Sequence, residues 1–146
     1  MTKNEVKRLL WSARHADREM ERIRERIERL DALRKRVTPT YSQAPGGGGG
    51  NSSRIEDITA QIMELEEMWR VKTQEYLQQY KKVEEAVCLV ENQDTKAAET
   101  LRLRYLDGTN WEDIAAIEHY EQRHVYRLHR QGIKILMANL NIDFNC

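Results

Sequence analysis

Apolar or small residues recur at Val6, Leu9, Ala13, Ala16, Met20, Ile23, Ile27, Leu30 and Val37, in steps that alternate between three and four. This spacing returns to one face of an α-helix at each turn, so it predicts a long amphipathic helix with a heptad seam, broken at Arg34. A second seam runs through Ile55, Ile58, Ile62, Leu65, Trp69, Tyr76, Val83, Ala86 and Val90, with Lys72 and Gln79 as interruptions. Neither run contains proline or glycine, and at ~1.5 Å per residue each is a rod roughly 50 Å long. Between them, residues 38–53 hold both prolines, five consecutive glycines and mostly polar residues, a composition that predicts a mobile reversing loop. The two rods are expected to fold back on each other and bury both seams.

A different rhythm begins near Asp94. Ala98, Leu101 and Tyr105 stand at helical spacing over residues 95–106, and Asp107-Gly108 stops that helix. Thr109 and Glu112 have the spacing of a capping box, with Ile114, Ala115 and Ile117 facing a core. A short break at residues 118–120 leads to a long helix over 121–139, and the tail 141–146 is expected to fray or pack on a neighbour. The fold class predicted is all-α: a long antiparallel helical hairpin (a coiled coil) over residues 1–93, followed by a small three-helix helix-turn-helix domain over 94–146.

Composition narrows the function. The mean hydropathy of −0.80 and 33% charged residues disfavour a large core. No apolar run has the length of a membrane span, and the N-terminus lacks the apolar core of a signal peptide. Two cysteines, Cys88 and Cys146, make no disulfide framework, so a cytoplasmic setting without membrane contact is expected. The net charge of zero conceals sorting. Residues 1–37 hold 12 Lys/Arg against 7 Asp/Glu, residues 54–91 hold 5 against 9, and residues 92–146 hold 7 against 8. The opposite signs of the rods suit their pairing, although exposed ion pairs contribute only ~0–1 kcal/mol each.

The last helix carries the candidate chemistry. With Val125 taken as the inward direction, Leu128, Gly132 and Leu136 share its face, while Arg123, Arg127, Arg130 and Lys134 fall on the opposite side. Gln122 and Tyr126 flank that cationic stripe near the helix start. Arginine can bond both acceptors of a guanine and glutamine both groups of an adenine, so a helix of this kind suits the major groove of duplex DNA. A positive helix face is by itself also an ordinary solvated surface. The short helix and tight turn ahead of it favour the DNA reading. Gln122, Arg123, Tyr126 and Arg127 are the candidate base contacts. Thr109, Asn110, Arg130 and Lys134 are the candidate backbone contacts.

Residues 108–136 resemble region 4 of bacterial sigma factors. Arg104-Tyr105, Gly108, Trp111, Ile114-Ala115 and Val125-Tyr126-Arg127-Leu128-His129 together resemble the sigma-region-4-like phage late-transcription regulators of the ArpU and RinA type. The match over the long helices is architectural. This resemblance implies a bacterial-host phage or prophage late-gene activator, with double-stranded DNA and RNA polymerase as partners. Two positions depart from the sigma pattern: His119 stands where glycine is frequent in the turn, and Glu121 where serine caps the recognition helix. Histidine tolerates a left-handed backbone better than branched residues do.

Other chemistry is poorly supported. His119, His124 and His129 are five apart, so no pair shares a helix face, and no metal or other cofactor is expected. Cys88 is expected to be a small buried thiol near the seam. The glycine run lacks the Lys-Ser/Thr of a phosphate loop. Trp11 and Trp69 are expected to pack at the hairpin and its ends, and Trp111 to plug the small domain; Tyr76 and Tyr80 are read as seam residues. The chain is not expected to be an enzyme. The reading is therefore a sequence-specific DNA-binding transcription regulator that forms a homo-oligomer through the hairpin. The alternatives are a small terminase-like DNA-packaging subunit and a helical interaction module without DNA affinity.

Overall fold

The structure, a computed structural model, describes residues 1–37 and 48–140, with side chains described outside 48–52. The expected loop residues 38–47 and the tail 141–146 lie outside the described residues. Those described are helical or in short connections, with no strand among them. The order is α1 (Lys3–Val37), α2 (Gly48–Glu91), α3 (Thr95–Leu101), a π-helical turn (Arg102–Leu106), α4 (Trp111–Glu118) and α5 (Gln122–Asn139).

Helix α1 opens on a reciprocal capping box. The Thr2 amide donates to Glu5 Oε2 at 2.7 Å, and the Glu5 amide donates to Thr2 Oγ1 at 3.3 Å. The helix closes on Arg34, Lys35 and Arg36, cations suited to the negative end of the helix dipole. Helix α2 starts inside the segment expected to be loop: residues 48–53 are helical. Extending an existing helix costs far less than nucleating one, so the strong helix formers downstream carry the helix back into the glycines despite about 1 kcal/mol per glycine. At 35 and 44 residues, the two rods are also less equal than their seams suggest.

The chain forms two compact units, residues 17–75 and residues 1–16 with 76 onward, rather than dividing at the expected 93/94 boundary. In the unit of residues 17–75, Ile58 and Ile62 are buried, and Ile23, Ile27, Leu30, Ile55 and Leu65 are half-buried. Glu19 pairs with Lys72 across the two helices at 2.8 Å. Ile27, Glu28, Asp31 and Arg34 line a groove together with Thr59, Ile62, Met63 and Glu66. Other pairs lie within one helix: Arg24 with Glu21 and Glu28, Lys35 with Asp31, and Arg70 with Glu67. Trp69, expected to pack, is instead 38% exposed on the α2 surface with Met63, Met68, Val71 and Leu77.

The other unit explains why the boundary moved. Val6, Leu10 and Ala13 of α1 and Val83, Ala86, Val87 and Val90 of α2 share one core with Ala97, Ala98, Leu101, Tyr105, Ile133, Leu136 and Leu140. Leu10 is fully buried while Leu9 is only partly so. Cys88, expected to be buried, is exposed, because Val87 and Val90 take the inward direction and residue 88 turns away from it. A smaller cluster of Ile114, Ala115 and Val125, with Leu103, Trp111 and Tyr120 against it, joins α4 to α5. Ile117, expected in the core, is 54% exposed. In a helix as short as α4, Ile114 and Ala115 set the inward direction, and residue 117 lies about 110° from their mean.

The helix expected over 95–106 is capped by Asp94, which accepts from the Ala97 amide at 3.0 Å, and it widens at Arg102 into the π turn. The wider turn lets Leu101, Tyr105 and Leu106 all reach the core. It stops at Asp107-Gly108, as the sequence predicts. The cap of α4 is Asn110, whose Oδ1 accepts the Asp113 amide at 2.8 Å, and not the expected Thr109–Glu112 box. Thr109 sits one residue too early, and its carbonyl instead accepts a hydrogen bond from Arg104 Nη1 at 3.2 Å.

Gly108 has φ +70°, and a Cβ there would fall 2.4 Å from Arg14 Cζ. Gly108→Ala is therefore expected to destabilise the protein by about 1–2 kcal/mol from backbone strain alone, with crowding added. Urea denaturation of G108A and of G108A with Arg14→Ala checks this. The second change should relieve the crowding and leave the backbone contribution in place.

Candidate nucleic-acid interface

Helix α4 ends in a Schellman motif. His119 adopts φ 59°, ψ 40°, the left-handed conformation expected at this position. Its amide donates to Ala116 O at 3.4 Å, and the Tyr120 amide donates to Ala115 O at 3.0 Å. Tyr120 then packs on the Ile114–Val125 cluster and against the His124 ring, with centroids 4.5 Å apart. Glu121 is the N-cap of α5 through its extended backbone and makes no side-chain cap bond. This short connection fixes where α5 starts relative to α4.

Helix α5 is amphipathic in the predicted sense. Val125, Leu128, Gly132 and Leu136 are buried, joined by His129, Ile133 and Ile135. At Gly132 a Cβ would fall 2.8 Å from Leu101 Cδ1, so the absence of a side chain lets α3 and α5 approach closely. On the opposite side Arg123, Arg127, Arg130 and Lys134 are all exposed, and Gln122, at the helix start, is exposed beside them. Tyr126 is 39% exposed and rests on the Trp111 ring at 5.1 Å. Arg127 Nη2 donates to His124 Nδ1 at 2.7 Å, which ties Arg127 to the helix surface near its start. Of the residues proposed ahead of α4, Asn110 is exposed but spends its carbonyl oxygen on the cap, and Thr109 is half-buried.

An aromatic assembly stands behind this face. The Arg104 guanidinium lies over Trp111 at 4.6 Å and over Trp11 at 5.1 Å. Trp11 meets Tyr105 edge-on at 5.1 Å, and Trp111 meets His129 edge-on at 4.9 Å. Tyr105 Oη and His129 Nε2 share a hydrogen bond of 2.6 Å. Burial pushes the Tyr105 phenol up to about 12 and is the main cause that pulls His129 down to about 4. Lys7, Arg104, Lys3 and Arg130 add to the His129 depression by repelling a charge on its ring. His129 is thus a neutral strut in a positive surround. Trp111, expected to be a core plug, is only half-buried and meets Arg104, Tyr126 and His129 at the edge of the core.

The same residues border an open groove of about 520 Å³, lined by Lys3, Lys7, Trp111, Tyr126, His129, Arg130, Ile133, Lys134 and Met137. It brings Tyr126, Arg130 and Lys134 together, and leaves Gln122, Arg123, Arg127, Thr109 and Asn110 outside its lining. Lys3 and Lys7 are the residues that sequence reasoning missed. Their i, i+4 spacing places them on one face of α1, but no local pattern indicates that this face meets α5. Among the described residues no group of three His, Cys, Asp or Glu side chains converges in a way that could hold a metal ion.

The depressed His129 gives a pH prediction. The unfolded chain takes up a proton at this histidine near 6.5 while the folded protein resists until about 4, so stability falls as pH drops through that window and is unaffected by this group above it. Urea midpoints measured between about pH 7.5 and 4 should fall more steeply for the native chain than for His129→Gln, which retains an acceptor for Tyr105 but does not titrate. Parallel curves for the two proteins would remove His129 as the cause.

The chain matches no protein-family model, no curated protein and no solved structure.

Proposed function

We propose that this protein is a sequence-specific double-stranded DNA-binding transcription regulator. In this reading α4, the left-handed His119 turn and α5 act as a helix-turn-helix, and α5 enters the major groove. The observation that carries it is the two-sided character of α5. A buried apolar stripe through Val125, Leu128, Gly132 and Leu136 docks the helix on the core, and Arg123, Arg127, Arg130 and Lys134 are exposed on the far side. Gln122, Arg123, Tyr126 and Arg127, at the start of the helix, are placed to address base edges. Arg130 and Lys134, farther along, meet phosphates. Thr109 is the weakest member of the contact set, since it is half-buried and its carbonyl is engaged by Arg104.

By resemblance, the biological role is activation of phage or prophage late genes in the bacterial cytoplasm, with RNA polymerase as a partner. The rods of α1 and α2 serve in this reading as an antiparallel hairpin that joins copies of the protein. A second reading, a helical interaction module without DNA affinity, draws on Met63, Met68, Trp69, Val71 and Leu77, which leave α2 with exposed apolar side chains. A terminase-like packaging subunit shares the DNA contacts but would form a ring.

Selection on randomised duplexes followed by affinity measurements tests the proposal. Arg123→Ala is expected to weaken the preferred site by about 1–3 kcal/mol and to relax specificity at one position. Lys134→Ala should weaken preferred and random duplexes about equally. Failure of the native chain to bind any duplex at low salt would reject DNA binding in favour of the interaction module. A ring-sized particle in light scattering would favour the packaging role.

A further inference from the structure

The groove beside α5 contains two pairs of cations from distant parts of the chain. Lys3 and Lys7 lie one turn apart on α1, and Arg130 and Lys134 lie one turn apart on α5. The rings of Trp111, Tyr126 and His129 and the side chains of Ile133 and Met137 complete the lining. No carboxylate lines this groove, and among the described residues none of the four cations has an ion-pair partner. Elsewhere the chain pairs its cations readily: Arg24 with Glu21 and Glu28, Arg70 with Glu67, Lys72 with Glu19 and Glu75, and Arg102 with Glu91. The groove therefore gathers four cations with no carboxylate among its lining residues.

We infer that Lys3 and Lys7 extend the α5 surface into a seat for the sugar-phosphate backbone of duplex DNA, so that the N-terminal turn of α1 is part of the DNA-binding face. The inference rests on the DNA-binding reading of α5 and adds residues to it. Four cations spread along a groove from two helices match a chain of phosphates better than a single anion. Lysine suits this role, since its flexible ammonium neutralises a phosphate without demanding one base sequence. The exposed edge of Tyr126 and the half-buried Trp111 give the groove an apolar wall of the kind a deoxyribose can lie against.

Burial is the main cause that depresses His129, and the cations around the groove add to it. Lys7, Lys3 and Arg130 are all close enough to oppose a charge on its ring. Charge balance points the same way. Residues 92–146 hold 7 Lys/Arg and 8 Asp/Glu, a poor endowment for a DNA-binding module. The compact unit that also takes in residues 1–16 and 76–91 holds 13 and 12. The excess comes from the N-terminal stretch, where Lys3, Lys7, Arg8 and Arg14 face a single acid, Glu5.

The test uses the full chain and a mixed-sequence duplex in a salt titration. Four proteins are compared: native, K3Q/K7Q, K3R/K7R and the control R26Q/R29Q, whose exposed arginines belong to the other compact unit and do not line the groove. Two lost phosphate contacts should make the slope of log affinity against log salt shallower by about 1.8 in K3Q/K7Q. The loss should be equal on preferred and random duplexes, while K3R/K7R and R26Q/R29Q keep the native slope. The single variant K3Q, at an exposed position, should shift the slope by about 0.9 and serves if the double variant does not fold. A native slope in K3Q/K7Q with duplex binding intact would overturn the inference and leave α5 as the reader. An equal change in R26Q/R29Q would also overturn it, because bulk charge would then be the cause. Absence of duplex binding by the native chain would reject both this seat and the DNA-binding reading beneath it.

Discussion

The Arg104 guanidinium held between Trp11 and Trp111 is the contact on which the surface around α5 depends. It joins three segments that have no local reason to meet: the first turns of α1, the π turn and the start of α4. Its Nη1 also fixes the backbone at Thr109, and its neighbour Tyr105 reaches His129 on α5. A cation–π contact contributes ~0.5–1 kcal/mol when exposed and ~2 kcal/mol or more when desolvated. Two such contacts help offset the buried Arg104 Nε, which has no hydrogen-bond partner. The π-helical widening at Arg102 is the local device behind this arrangement. It sends Tyr105 and Leu106 into the core while Arg104 stays beside the indoles, a split that a regular helix makes less readily.

Periodicity made the helices legible, since it reports on neighbours one turn apart. The stripe from Val125 to Leu136, the Asp107-Gly108 stop and the left-handed His119 all follow from local rules, and the structure contains each of them. Where local rules compete, partners outside the element decide. Thr109 and Asn110 are both good caps, and α4 begins at Trp111 with Asn110 in the capping position. Ile117 and Cys88 sit within a residue or two of inward positions, and the direction of burial is set by partners outside their own helices. The seam over residues 1–37 likewise hid that Val6, Leu10 and Ala13 of its first part share one core with residues of α2, α3 and α5. A heptad states that a face is covered and does not state by what.

The candidate surface shows the same division. Its α5 half could be drawn from a helical wheel because all of it lies on one element. Its other half, Lys3 and Lys7, is non-local, and nothing within the first turns of the chain marks them as neighbours of Arg130 and Lys134. The neutral net charge was equally uninformative. Total charge averages over the ion pairs within the helices and a groove whose charged lining residues are all cations.

Pairing, more than counting, is therefore the useful description of charge in this protein. An exposed pair between residues three or four apart adds a few tenths of a kcal/mol to a helix and leaves almost no field at a distance. The unit of residues 17–75 uses its charges in that way, at Glu21–Arg24–Glu28 and at Glu67–Arg70. Lys3, Lys7, Arg130 and Lys134 give up that small stabilisation, and like charges at i, i+4 oppose each helix by a similar amount. Lys3, Lys7 and Arg130 also add to the burial that keeps His129 unprotonated, a cost felt only below about pH 6.5. A groove that gathers cations from α1 and α5 with no carboxylate in its lining concentrates positive field there. That concentration is the electrostatic property a phosphate backbone would respond to, and it exists only once α1 is folded against the C-terminal helices.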